Sequence, residues 1–235
     1  MLTASSGFGM KSSPLANSHK AIMKAKPRHQ VRRIPERARY DRASAYAILD
    51  AAFIAHVAFS VDGQPFVIPM LYARDGDALL LHGSIASRLT QKLGDGIEAC
   101  ISVTIVDGLV LARSHFHHSA NYRSVVAFGR ARTIVEPAEK VAALAHFVEA
   151  MLPGRAAEAR APDKNELAAT AVLRFDIADI SAKVREGGAK DDKADVDLPH
   201  WAGVVPIAQR YGLPEPSADC AIALPDSVRH LLRGT

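Results

Sequence analysis

The residues best suited to chemistry lie in Leu79-Leu-Leu-His82-Gly83-Ser84-Ile-Ala-Ser87-Arg88. The apolar start reads as a strand that ends at His82, and a short helix is expected from Ala86 to Leu93. A strand-to-helix junction presents free backbone N–H groups and the positive end of the helix dipole. Gly83 lets a ligand approach the backbone closely. Ser84 and Ser87 offer hydroxyls, and Arg88 offers a planar cationic fork. Together these suit a terminal phosphate. The same residues also describe an ordinary helix start, with Ser84 as the cap and Arg88 on the surface.

A second cluster is His115-Phe-His117-His118. On a strand, alternation would put His115 and His117 on one face, where they could share a metal. No Cys or acidic residue stands near them as a third ligand, so no metal site is expected. Structural or cofactor-proximal histidines are the simpler reading, with proton transfer open to them. Cys100 and Cys220 are the two cysteines, too few for a disulfide framework or a zinc spacing, and a cytoplasmic setting is expected. Lys183, Arg185, Asp191 and Asp192 read as solvated strand-end and loop charges.

The elements that must position these groups follow from pattern. Asp41 caps a helix to about Ala52, with Ala45, Ile48, Leu49 and Ala52 on one face. Ile54 to Val61 and Pro65 to Arg74 form a hairpin across Asp62-Gly63, and Ala78 to His82 is a third strand. Strands are expected at 97–106 and 109–116 across an Asp107-Gly108 turn, and at 122–135 with a bend at Gly129. Pro137 opens a helix to about Met151. Strand segments follow at 171–175 and 180–184. Pro199 to Pro206 is an apolar patch around Trp201, a residue that alone most simply packs in a core or an interface. Short strands, tight turns and a few helices make the chain mainly β, a barrel with covering helices.

The chain has 235 residues, 49% of them apolar, which suits one sizeable core. Mean hydropathy is near zero, and no run approaches the ~18 apolar residues of a membrane helix. The formal charge is +4, but residues 1–33 hold seven Lys and Arg and no Asp or Glu, so the body carries −3. Residues 1–30 therefore read as a disordered basic tail, in which Met10 or Met23 could be the true start. A solvated arm is the simplest account of it. Neither nucleic acid nor membrane is expected as a partner, since aromatic interleaving and a sustained amphipathic face are both missing. Residues 31–207 form the expected barrel domain, and 208–235 a C-terminal extension.

The sequence resembles the FMN-binding split-barrel proteins related to pyridoxamine 5′-phosphate oxidase, within them the flavin-nucleotide-binding branch that includes nitroimidazole-resistance proteins. The resemblance spans about residues 31–207. It rests on six blocks in order, which open at Val31-Arg-Arg-Ile-Pro, Asp62-Gly-Gln-Pro-Phe, Leu81-His-Gly-Ser, Asp107-Gly-Leu-Val, His117-His-Ser-Ala-Asn-Tyr-Arg-Ser and Pro199-His-Trp-Ala-Gly. It implies an FMN-binding split β-barrel that dimerises with itself, with the flavin at the interface. By position, His82, Gly83, Ser84, Ser87 and Arg88 would line the flavin phosphate. Val67, Ile68, Pro69 and Met70 would run along the ring. Asn121, Tyr122, Arg123 and Ser124 would lie near it, and Trp201 would fall where the oxidases place a tryptophan.

Two departures matter. The second strand has no charge before Arg74, where the oxidases carry phosphate-binding basic residues, so Arg88 becomes more critical. The oxidases' C-terminal substrate motif is missing, which argues against pyridoxamine phosphate as substrate. The expectation is an FMN oxidoreductase acting on an unidentified small molecule, with His82 and His118 as catalytic candidates. Two other classes stay open: a flavin-binding module without turnover, and a haem-binding split barrel with an axial histidine from the 115–118 cluster.

Overall fold

The computed structural model describes residues 27–232. In chain order the elements are β1 Ala38–Arg39, α1 Arg42–Asp50, β2 Ile54–Val61, β3 Gln64–Leu71, β4 Ala73–Asp75, β5 Ala78–Ser84, α2 Arg88–Gly94, β6 Glu98–Leu111, β7 Ser119–Thr133, α3 Pro137–Met151, α4 Lys164–Ala169, β8 Thr170–Arg185, β9 Gly203–Pro206 and α5 Asp226–Leu232. The strands form one antiparallel sheet in the order β3-β2-β6-β7-β8-β5-β4, with β1 on β8 and β9 on β6. The sheet curls until β3 lies against β5 without a ladder between them, which leaves the barrel split. No helix among the described residues is long and apolar enough to cross a membrane.

Local chemistry explains most of these elements. Asp41 caps α1 by accepting from the Ser44 N–H at 2.8 Å. Asp62 and Gly63 both take positive φ, 50° and 79°, which a two-residue hairpin turn requires. Gly129 is obligatory: a Cβ there would stand 2.0 Å from the Asp176 carbonyl oxygen. The β7–β8 register skips a residue at this point, and the strands bend. Leu79, Leu81, Leu173 and Phe175 are fully buried inside the barrel. Each contributes about 1.5–3 kcal/mol of hydrophobic stabilisation. A second cluster, Leu80, Val172, Ile134 and Phe147, lies between the sheet and α3.

Several expected boundaries change. The strands expected at 97–106 and 109–116 are one strand, β6. Asp107 sits in a bulge of the β6–β7 ladder rather than in a hairpin turn, because the ladder resumes at Gly108. The segments expected at 171–175 and 180–184 are likewise one strand, β8. β5 does not stop at His82: its pairing with β8 continues through Ser84, so α2 starts at Arg88 instead of Ala86. His115–His117 is a short 3-10 turn, so the two imidazoles share no strand face. The tail falls outside the described residues except for 27–30. There Arg28 bridges Asp179 at 2.8 Å and Glu98 at 3.1 Å, so the end of the expected tail is held on the barrel.

Candidate cofactor site

The junction after β5 is tied by its own backbone. The Ser87 N–H donates to the Ser84 carbonyl at 3.0 Å. The Thr90 hydroxyl lies 2.6 Å from the Ser84 carbonyl and 2.9 Å from that of Ser87, sharing its proton between them. Ser84 Oγ accepts from the Ala86 N–H at 3.2 Å, while Ser87 makes no capping bond through its side chain. Gly83 packs close to Thr90, whose Cγ2 a Cβ would approach to 3.1 Å.

Arg88 is exposed and has no carboxylate partner among the described residues. Its guanidinium carbon lies 4.8 Å from the centre of the Phe66 ring, a cation–π contact. Phe66 stands on β3 and stacks on Phe59 of β2 at 5.4 Å. The arginine is thus aimed across the split onto β3. That strand is an edge, so one side of its backbone is free, and Pro65 and Pro69 are tolerated there. Along it Val67 and Pro69 face outward, Val67 with 62% exposure, while Phe66, Ile68 and Met70 are half-buried against the core.

His82 points to the α3 side of β5, a side that Ser84 shares by alternation. Leu80 is buried beneath α3, and alternation turns His82 to the same side. The imidazole meets Phe147 edge-on at 4.4 Å. Its Nδ1 is buried without a partner, and burial pushes its pKa below the ordinary histidine value. Among the described residues no acid or base hydrogen-bonds to it.

The other expected residues gather at the far end of the barrel. Asn121 Oδ1 accepts from Arg185 Nη1, and its Nδ2 donates to the Gly187 carbonyl at 3.2 Å. Tyr122 is half-buried opposite Arg185. Arg123 clasps the bulge residue Asp107 through two bonds, 2.7 and 2.9 Å, which raise the arginine pKa. Ser124 Oγ donates to the Lys183 carbonyl at 3.3 Å. His118 is exposed, and Trp201 is 66% exposed, so the expected compact patch around the tryptophan is instead an open face.

One chain therefore brings Val67–Met70 together with Ser84–Arg88, and keeps Ser84–Arg88 apart from Asn121–Ser124. Ser84 pairs with Thr170 at the start of β8, and Tyr122 pairs with Arg185 at its end. That 16-residue strand runs roughly 50 Å along its path at about 3.3 Å per residue.

Two expectations about charges fail. Arg185 is 5% exposed, caged by Asn121 and by the Gly187 and Gly188 carbonyls, each at 3.0 Å. The Asp191 side chain is 4% exposed and accepts from both the backbone and the guanidinium of Arg113, at 2.8 and 2.7 Å. These pairs pin the 186–192 loop over the 112–118 turn. Nothing local in the sequence marks them, because the partners are about 65 to 80 residues apart.

A family model described as pyridoxamine 5′-phosphate oxidase matches residues 41–184. The chain belongs to this family. Among solved structures, the flavocytochrome Anf3 from Azotobacter vinelandii is 39% identical, over 87% of this chain and 96% of that one, with a TM-score of 0.82. An FAD- and haem-binding protein from Mycobacterium smegmatis is 38% identical, over 83% and 97%, with a TM-score of 0.80. A protein assigned to 5-nitroimidazole resistance in Bacteroides thetaiotaomicron shares the fold: 20% identity, 63% and 86% coverage, TM-score 0.52. A search of curated proteins returned no match. The split barrel expected from the sequence is thus the fold this oxidase-family chain adopts.

Proposed function

We propose that this chain is a redox flavoprotein that also holds haem and works as a homodimer on a small-molecule substrate other than pyridoxamine phosphate. The observation that carries the reading is Arg88, a cation without a carboxylate, poised over an edge strand beside the Ser84 and Ser87 hydroxyls. That donor set fits the phosphate of a flavin. The family resemblance points to FMN; the two relatives above 35% identity, one a flavocytochrome and one named for FAD and haem, favour FAD and add the haem.

Once bound, a flavin supplies one- and two-electron redox chemistry and a haem one-electron chemistry. The chain's own residues anchor, orient and shield. Arg88 and the serines would hold the phosphate, and the free backbone edge of β3 at Val67 would run along the ring. A second copy supplies Asn121–Ser124 and Trp201 from its far end, since one chain keeps them apart from Arg88. A two-fold axis closes both sites at once.

The test is the visible spectrum of the purified full-length chain, with mass identification of any released cofactor and light scattering for its size. Flavin bands with a Soret band, an FMN or FAD mass and a dimer are expected. A protein that binds neither FMN nor FAD when supplied overturns the flavin half. A monomer overturns the shared site. Flavin that binds but is reduced by neither NADH nor NADPH favours a binding module without turnover.

A further inference from the structure

The histidines of the 115–118 turn differ in what holds their rings. His118 Nδ1 lies 2.9 Å from the Ser114 carbonyl oxygen, which fixes Nδ1 as the protonated nitrogen. Its Nε2 makes no hydrogen bond among the described residues. Metal-bound histidines are oriented in this way, with one nitrogen donating to a carbonyl and the other left to the metal. His117 is arranged otherwise, its Nε2 facing the Asp192 carboxylate at 3.3 Å. His115 has no hydrogen bond among the described residues and stands edge-on to His118 at 6.3 Å between ring centres. His82 is half-buried, edge-on to Phe147 of α3, and its Nδ1 is buried with no hydrogen bond to fix the ring.

Two residues along the chain from His118 an apolar face begins at Ala120. Ala120 pairs with Leu109 in the β6–β7 ladder, and Leu109 pairs with Val205 in the β6–β9 ladder, so the three share one side of the sheet. Leu111 follows on that side by alternation, opposite Gly203. The Trp201 indole covers Gly203 there: a Cβ on the glycine would stand 2.8 Å from the ring. His118 itself stands just before β7, with its ring edge-on to His115. Leu109, Val205 and Trp201 are 47%, 44% and 66% exposed, an apolar surface of a kind that marks a binding site.

We propose that His118 is the axial ligand of a haem whose porphyrin lies on the face of Leu109, Leu111, Val205 and Trp201. The neutral imidazole gives its Nε2 lone pair to the iron, and the Ser114 carbonyl holds the ring in the ligating tautomer. The apolar face covers one side of the macrocycle. This assignment rests on the haem half of the proposed function. It puts the haem at the same end of the barrel as the groups a second copy presents to the flavin.

Full-length wild type, His118→Ala, His118→Gly, His117→Ala and Trp201→Ala, expressed with added haemin, test the assignment. Wild type and His117→Ala should show the same Soret band and the same ligand signature by electron paramagnetic resonance. His118→Ala should lose at least tenfold in haem affinity while keeping the wild-type circular dichroism, since the side chain is exposed. Added imidazole should restore the histidine-ligated spectrum in His118→Gly. Trp201→Ala should weaken haem without altering the ligand signature. A wild-type spectrum in His118→Ala, or loss of the signature in His117→Ala, overturns the assignment alone. A wild-type protein that takes no haem overturns it together with the haem half of the proposed function, and leaves the flavin half standing.

Discussion

Arg88 rests its guanidinium over the ring of Phe66, 4.8 Å from carbon to ring centre, and so links the β5–α2 junction to an edge strand that it never pairs with. A cation held by a quadrupole rather than a carboxylate keeps its donors available for an incoming anion. Arg88→Ala should therefore weaken FMN by roughly ten- to a hundredfold, the worth of a charge-assisted hydrogen bond. Riboflavin, which has no phosphate, should bind the variant and the wild type alike. Flavin fluorescence titration measures both. Equal losses for the two ligands would show that Arg88 positions the ring or β3 and does not hold the phosphate.

Gly129 and the Asp176 carbonyl set the bend of the long strands. A Cβ on residue 129 would stand 2.0 Å from that oxygen, and neither strand can give way without losing part of the β7–β8 ladder. Gly129→Ala should destabilise the fold by roughly 3 kcal/mol or more, at the upper end for overpacking. Thermal melting should show a midpoint lower by roughly 6–12 °C for a chain of this size. Gly63→Ala, strained at its positive φ but with open space around it, should cost less. A reversal of that order would mean the β7–β8 skip relaxes easily.

What could be read from the sequence was local. Asp62-Gly63 states its turn, Asp41 its cap and Pro137 its helix start within four residues, and each element stands where the pattern puts it. Asp107-Gly108 carries the same turn signal as Asp62-Gly63. Its outcome was decided by β7 and β9, which flank it on both sides and hold the strand straight through a bulge. The buried state of Arg185 and Asp191 depends on partners about 65 to 80 residues away, which no window of sequence contains. The candidate phosphate group was legible as one stretch. That it sits at the opposite end of the barrel from Asn121–Ser124 was not, because the distance is set by sheet order.

Asp191 tests how firmly the 186–192 loop is pinned over the histidine turn. The Arg113 backbone N–H, and then its guanidinium, hold the Asp191 carboxyl below its ordinary value of 3.8. A carboxylate with a depressed folded pKa gives stability that is present above the unfolded value and lost as pH falls through the folded one. Asp191→Asn should therefore melt below wild type at pH 7, and the gap should close as pH drops below about 3.9. Melting curves at several pH values measure it. A gap that stays constant to pH 3 would assign the effect to packing rather than to charge.

His82 titrates with the opposite charge and the same direction in pH. Burial pushes its pKa below 6.5, and no group stands by to stabilise a protonated ring against Phe147. Below 6.5 the unfolded chain takes a proton that the folded chain refuses. Stability from this residue is thus full above 6.5 and declines as pH falls toward the lower folded value. Wild type should lose melting temperature as pH falls below about 6.5 more steeply than His82→Phe, which keeps the ring contact and cannot titrate. Ser84 lies two residues along β5, on the same side by alternation. An FMN dianion held there would favour the protonated ring, so loading with FMN should flatten the wild-type slope and leave that of His82→Phe unchanged. Equal slopes in the two apo proteins would mean that His82 takes its proton inside the fold, and a candidate acid would then stand beside the phosphate.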